Sequence, residues 1–286
     1  MDRRIYAISK NIFLIPVVSA FFMITSPCHA EDTGAGSPAL SGEAGQSYFK
    51  GVEYAAQGRF EEAKQEYQKA LSDEAYYAAS RLEIHAIDDV LNQKAEKEVA
   101  MLIFKGKKYA VDQKWQEAID LYTRAIRQAP TYAYAFISRG IAYASLGELD
   151  RAVSNFSDAL KVDPKYTEVY NNRGVILEYM GRYNRAVEDL TKAIECDPAF
   201  AQLYYNRGLA YSYKGRHDMA IPDFNKAIEL KPDYSRAYLG KAIACEKSGL
   251  KKEAVDAYRK TLEYDKSKDP EMLEYVRESI KRLEAP

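Results

Sequence analysis

Residues Ala133 to Tyr166 read AYAFISRGIAYASLGELDRAVSNFSDALKVDPKY. Tyr134 to Ser145 has the length of a short helix, and Gly147 stops it, because glycine enters the left-handed conformation that closes a helix without a Cβ penalty. Leu149 to Val162 gives a second helix, and Pro164, which lacks a backbone N–H, prevents its continuation. Gly140 and Ala152 are small where the two helices approach, and Tyr143 and Phe156 fill the volume on either side. One such hairpin cannot bury both of its apolar faces; stacked on a neighbour it buries the remainder.

The stretch recurs along the chain. Gly106, Gly140, Gly174 and Gly208 are 34 residues apart, as are Ala118, Ala152, Ala186, Ala220 and Ala254. Pro130, Pro164, Pro198 and Pro232 keep the same spacing, and so do Ala125, Ala159, Ala193 and Ala227. Independent columns in one phase define a repeat rather than a run of unrelated helices.

The pattern Gly140, Tyr143, Gly147, Ala152, Phe156, Ala159, Pro164 resembles the tetratricopeptide repeat. In that frame units begin at Ala44, Val99, Ala133, Thr167, Ala201 and Ser235. The match is weaker at Ser235, where Ala242, Cys245, Thr261 and Lys266 replace the usual residues, and at Val99, where Gln113 replaces glycine. The expected fold is all-α, an α-α superhelix of about six hairpins. Its parts are a first unit at 44–77, an inserted helix within 78–98, five consecutive units at 99–268 and a capping helix at 269–286. Leu82, Ile87, Val90 and Leu91 give the insert one apolar stripe, and it is expected to offset the first unit from the rest. Asp269 and Pro270 make a good helix start, and Met272, Leu273, Val276, Ile280 and Leu283 form the stripe that would cover the open end of the stack.

The N-terminus reads as an address. Arg3, Arg4 and Lys10 precede fourteen uncharged residues, Ile12 to Thr25, fewer than the roughly 20 needed to span a bilayer. Cys28 and Ala30 then fit a secretory cleavage site after Ala30. Residues 1–30 are therefore expected to be a signal peptide, with an uncleaved anchor as the alternative and a lipid-modified Cys28 last, since Thr25 and Pro27 suit it poorly. Residues 31–43, rich in Gly, Ser and Pro, read as a flexible linker. The address points to an exported protein, periplasmic in a bacterium.

Composition narrows the function. Hydrophobic residues are 47% and charged residues 29%, which excludes a disordered chain. A net charge of −1 gives no electrostatic reason to expect nucleic acid. Three Cys and three His, widely scattered, offer no zinc spacing, and there is no nucleotide loop or catalytic motif, so neither metal nor cofactor nor enzymatic activity is expected. Cys196 and Cys245 fall two units apart and are expected to be free, buried thiols.

The resemblance implies that the first helix of each unit lines a concave groove that holds a segment of another protein. The candidates on those helices are Tyr134, Ile137, Asn171, Asn172, Glu178, Tyr179, Gln202, Tyr205, Asn206, Tyr213, Arg236 and Lys247. Tyrosine supplies rigid contact area with a polar tip, and asparagine bonds both N–H and C=O of an extended backbone. One subset of the family clamps a C-terminal carboxylate with an asparagine in the first helix; Lys107, Ile141, Val175, Leu209 and Ile243 occupy that column here, so the clamp is absent. A basic residue precedes each small one, at Lys50, Lys105, Arg139, Arg173, Arg207 and Lys241. Asp189 and Asp223 follow their arginines by sixteen residues, with Asn155 in the same place after Arg139, so pairing across the hairpin is expected rather than a basic ladder for an acidic partner. The expected function is a non-catalytic scaffold or adaptor in the cell envelope. The alternative is a subunit that binds glycan or peptidoglycan through Tyr179, Tyr205 and Tyr213.

Overall fold

The computed structural model describes residues 42–266 and 269–285. The expected signal peptide, Cys28 and nearly all of the expected linker lie outside the described residues. These residues hold fourteen α-helices and no strand. In chain order they are α1 (Glu43–Ala56), α2 (Phe60–Ala70), α3 (Glu74–Leu91), α4 (Lys97–Val111), α5 (Trp115–Gln128), α6 (Ala133–Ser145) and α7 (Leu149–Val162). There follow α8 (Thr167–Tyr179), α9 (Tyr183–Cys196), α10 (Ala201–Tyr213), α11 (His217–Leu230), α12 (Ser235–Lys247), α13 (Lys251–Tyr264) and α14 (Pro270–Glu284). None of them is long and apolar enough to cross a membrane. The chain divides into two compact units, residues 42–169 and 170–285.

The repeat columns explain the hairpins. A left-handed residue follows α6 at Gly147 (φ 76°), and Gln113, which stands where other units have glycine, takes the same conformation at φ 59° after α4. A non-glycine residue there costs about 1–2 kcal/mol. Inside the hairpins the small residues are close-approach points. A Cβ on Gly140 would lie 2.9 Å from the Phe156 ring, and one on Gly106 2.6 Å from the Tyr122 ring. The aromatic ring of the second helix thus lies flat on the backbone of the first, which is why glycine recurs in that column.

In the first unit the insert changes direction as well as spacing. Gly58, after α1, faces Lys97 and Met101 at the start of α4, while Lys107, late in α4, lies 5.7 Å over the ring of Tyr48, early in α1. Helices α1 and α4 therefore run antiparallel. One added helix, α3, is an odd number, so the hairpin before it points the opposite way from the hairpin after it. Sequence spacing predicts the offset; only the packing shows the reversal.

In the second unit consecutive first helices share a register. Asn171 in α8 meets Asn206 in α10, 35 residues on. Phe224 of α11 is fully buried among Tyr205, Leu209, Tyr234 and Ala237. At the C-terminal end the Asp269 side chain accepts from the N–H groups of Glu271 and Met272, and Pro270 opens α14. Met272 and Val276 then bury against Leu239, Cys245, Ala254 and Tyr258. Arg282 joins Glu246 at 2.7 Å, and Tyr258 donates to the same carboxylate at 2.8 Å.

The cysteines depart from expectation. Cys245 is buried, but Cys196 is exposed. Cys196 is the last residue of α9, beyond Ala193, where the helix turns out of the stack. Both are free thiols.

Candidate functional site

The periodic arginines are structural. Arg173 donates through Nε and Nη2 to both oxygens of Asp189 at 2.7 Å, and Arg207 makes the same two-pronged contact with Asp223 at 2.8 Å. Arg139 donates to Asn155 at 2.8 Å and also to Thr123 of α5 at 3.1 Å. Arg207 reaches back likewise to Thr191 of α9 at 3.2 Å. Arg139 and Arg207 therefore each tie their own second helix to the second helix of the hairpin before. Paired guanidinium groups of this kind are not a positive ladder for a partner.

In the first unit the inner side of the hairpins is covered. Tyr134 and Ile137, read from the sequence as groove residues, are fully buried. The Tyr134 hydroxyl donates to Glu83 of α3, and the Tyr134 ring lies 5.8 Å from that of Phe104. The insert α3 covers this face, so these two residues present no surface to a partner. Glu83 is itself fully buried; Lys107 contacts the same carboxylate, and Tyr48 donates to it at 3.4 Å. Burial pushes the Lys107 ammonium down, to about 7, against the pull of the carboxylate it touches.

In the second unit no helix among the described residues covers the corresponding residues. Tyr179 is 47% exposed, Arg236 and Lys247 are exposed, and Asn171, Asn172, Glu178, Gln202 and Tyr213 are half-buried. Polar side chains here form a directed line. Tyr234 donates to Gln202 Oε1 at 2.5 Å, Gln202 Nε2 to Asn206 Oδ1 at 2.9 Å, and Asn206 Nδ2 to Asn171 Oδ1 at 2.8 Å. All donors point one way, so the amide orientations are fixed by the line itself. The amide N–H groups of Asn171 stand at its end. Tyr213 stacks on Tyr183, rings 6.1 Å apart and 14° from parallel. Burial pushes the Glu178 carboxyl up to about 8.

Two sequence candidates are misplaced in this unit. Tyr205 and Asn206 are buried; Tyr205 lies 6.1 Å from Phe224 and 5.2 Å from Tyr234, ring to ring. Its place on the first helix turns it toward the neighbouring hairpin, and period alone does not separate the two directions. Conversely, half-buried Tyr183 belongs to this surface and buried Tyr234 starts its line of amides, although both lie outside the first helices. Among the described residues no group of three or more His, Cys, Asp or Glu could hold a metal ion.

Comparison with known proteins agrees with this geometry. Models of the tetratricopeptide repeat match residues 167–200 and 201–234 and, in a variant form, 47–72; a further TPR repeat model matches 140–181. Two crystal structures of MamA are similar to this chain. One is 29% identical with a TM-score of 0.55, the match covering 57% of this chain and 95% of that one. The other is 27% identical with a TM-score of 0.56, covering 61% and 95%. MamA from residue 41 to its end, from Desulfovibrio magneticus RS-1, is 24% identical with a TM-score of 0.56 over 60% of this chain and 97% of that one, a likeness of fold. No curated protein sequence matches the chain. The chain thus carries tetratricopeptide repeats, and its fold class is the all-α, α-α superhelix. Repeats of this class support a protein–protein interaction scaffold.

Proposed function

We propose that this protein is a non-catalytic scaffold of the cell envelope that holds a segment of a partner protein on the first-helix face of its second unit. One observation carries the reading: among the described residues that face is open, while the face of the first unit is filled by the chain's own α3. The open face offers exposed tyrosine, a fixed line of amides, the Arg236 charge and the Glu178 carboxyl, which burial biases toward its neutral form. Aromatic and arginine anchors beside preset hydrogen-bonding groups suit polypeptide recognition, because little side-chain order remains to be imposed on binding. The glycan alternative needs a platform of three tyrosines, and with Tyr205 buried only Tyr179 and Tyr213 remain.

Export follows from the first thirty residues as a sequence pattern. N-terminal sequencing of the chain from an envelope fraction tests it, with Glu31 as the expected first residue. For the site, a photo-crosslinking amino acid is placed at Tyr179, at Tyr213 and, as a control, at exposed Tyr109 of the first unit. Discrete protein adducts from the first two positions and none from the third are expected. Equal yields at all three sites would refute the assignment, and sedimentation of the purified protein with peptidoglycan would move it to the glycan class.

A further inference from the structure

Helix α3 sits in the first unit as a ligand sits in a receptor. Tyr76, Ser80, Leu82, Glu83, Ala86 and Ile87 are buried on one side of the helix, and the rest of 76–91 is half-buried. Apart from the Lys64–Asp88 ion pair with α2, at 2.5 Å, its side-chain polar contacts with other helices come from the first helices of several hairpins and from the residues that lead into them. Tyr48 of α1, Lys107 of α4 and Tyr134 of α6 converge on the Glu83 carboxylate. One turn on, Tyr132 donates to the Ala86 carbonyl at 3.1 Å, and His85 stacks on Tyr166 at 4.4 Å. Arg81 pairs with Glu168 at 3.1 Å. These contacts are those of helix recognition: a central buried charge read by three donors, a backbone carbonyl bonded by a tyrosine, and an ion pair two residues before that charge. No other unit has a counterpart of α3, because it lies outside the 34-residue phase. Removal of residues 78–98, which include most of α3, would restore the uninterrupted repeat.

We propose that the first-helix face of the first unit is a second, helix-specific binding site, which the chain keeps filled with its own α3 and whose selectivity is set by the Tyr48–Lys107–Tyr134 receptor for a carboxylate. The partner that fits is a helix carrying Glu or Asp at its centre and a small residue three positions on, as Glu83 and Ala86 stand in α3. The receptor makes the requirement strict, since a helix without the acid leaves the Lys107 ammonium buried with no counter-charge. This site is separate from the one proposed in the second unit, and either can fail without the other.

The test uses the full chain with Glu83→Ala, a synthetic peptide of residues 74–91 and the same peptide with Glu83→Ala. Hydrogen exchange in 76–91 of the E83A chain is expected to quicken at least tenfold, while α5 and α7 keep their rates. The fluorescent wild-type peptide should bind the E83A chain at least tenfold more tightly than it binds the wild-type chain, and at least tenfold more tightly than the substituted peptide binds. Unchanged exchange in α3, an equal rise in every helix of the first unit, or no peptide binding to a folded E83A chain would overturn the proposal. Failure of both E83A and Glu83→Gln chains to fold would overturn it as well, because α3 would then be an indispensable part of the core rather than an occupant.

Discussion

Phe224 is held between two glycines. A Cβ added to Gly208, in its own hairpin, would stand 2.8 Å from the ring, and one added to Gly240, in the next hairpin, 2.7 Å. The ring is fully buried and cannot retreat from one helix without entering the other. Gly240→Ala therefore brings an overpacking cost of about 1–3 kcal/mol. Against it stands the gain of roughly 1 kcal/mol that alanine has over glycine inside a helix. The net expectation is a loss of about 1 kcal/mol, taken from those two magnitudes. Phe224→Leu removes the flat ring and with it the clash, so in that background Gly240→Ala should reverse sign and stabilise by up to about 1 kcal/mol. Urea unfolding of the four proteins, followed by far-UV circular dichroism, closes the cycle. If Gly240→Ala stabilises the wild-type chain, or if the two substitutions add without coupling, then Phe224 is not clamped and the account of close hairpin packing is wrong.

Three further outcomes follow from the same structure. Arg207→Ala and Asp223→Ala should couple by about 1.5–3 kcal/mol in a double-mutant cycle, as two charged hydrogen bonds with little solvent do; a coupling below about 0.5 kcal/mol, the value of an exposed pair, would reduce the contact to surface decoration. Gln113→Gly should raise stability by about 1 kcal/mol because it relieves the left-handed strain after α4, and an unchanged or lower urea midpoint would show that Gln113 is unstrained. Glu178 has a folded pKa raised to about 8 from an ordinary 4.5, so the folded state holds the proton more tightly than the unfolded chain. The neutral acid is tolerated at low pH, and stability is lost as pH rises from about 4.5 through about 8. The Glu178→Gln chain, which cannot ionise there, should gain over wild type between pH 5 and pH 9 in urea midpoint, and a constant difference would place Glu178 in water.

Most of the architecture is legible because each column answers one packing requirement. Gly140 must be small for Phe156 to lie on the helix, and Asp189 and Asp223 must follow their arginines by sixteen residues to meet them across a hairpin. These requirements are local, within one or two hairpins, and so recur at fixed spacing. The position of α3 is not local. Its apolar stripe shows that it is covered, and Glu83, four residues before Ile87, is the odd member on that side. Lys107 is odd in the same sense: its column otherwise holds Ile141, Val175, Leu209 and Ile243. Two charges set in apolar places are a signal that they meet, but no repeat rule pairs residues 24 apart across an insertion. The repeat pattern therefore assigns Tyr134 to open surface, where the packing makes it part of the Glu83 receptor, and Tyr205 likewise, where the packing makes it part of the core.

The difference between the two units lies in what each does with one kind of face. A stack of identical hairpins would present the same columns twice and bind similar segments twice. Here the residue before the first helix and the second residue within it are Tyr132 and Tyr134 at α6, both bonded to α3. At α12 the same places hold Tyr234, bonded to Gln202 of its own unit, and Arg236, exposed. The tyrosine that grips a neighbouring helix in one unit is drawn into the amide line in the other, and a charge replaces its companion. A helix shaped for the first face would meet Arg236 and Leu209 on the second where it finds Tyr134 and Lys107 on the first, so its carboxylate would keep one cation but lose the hydroxyl donors that enclose it. The repeat thus holds the backbone constant while two or three side chains per hairpin decide which segment each face accepts.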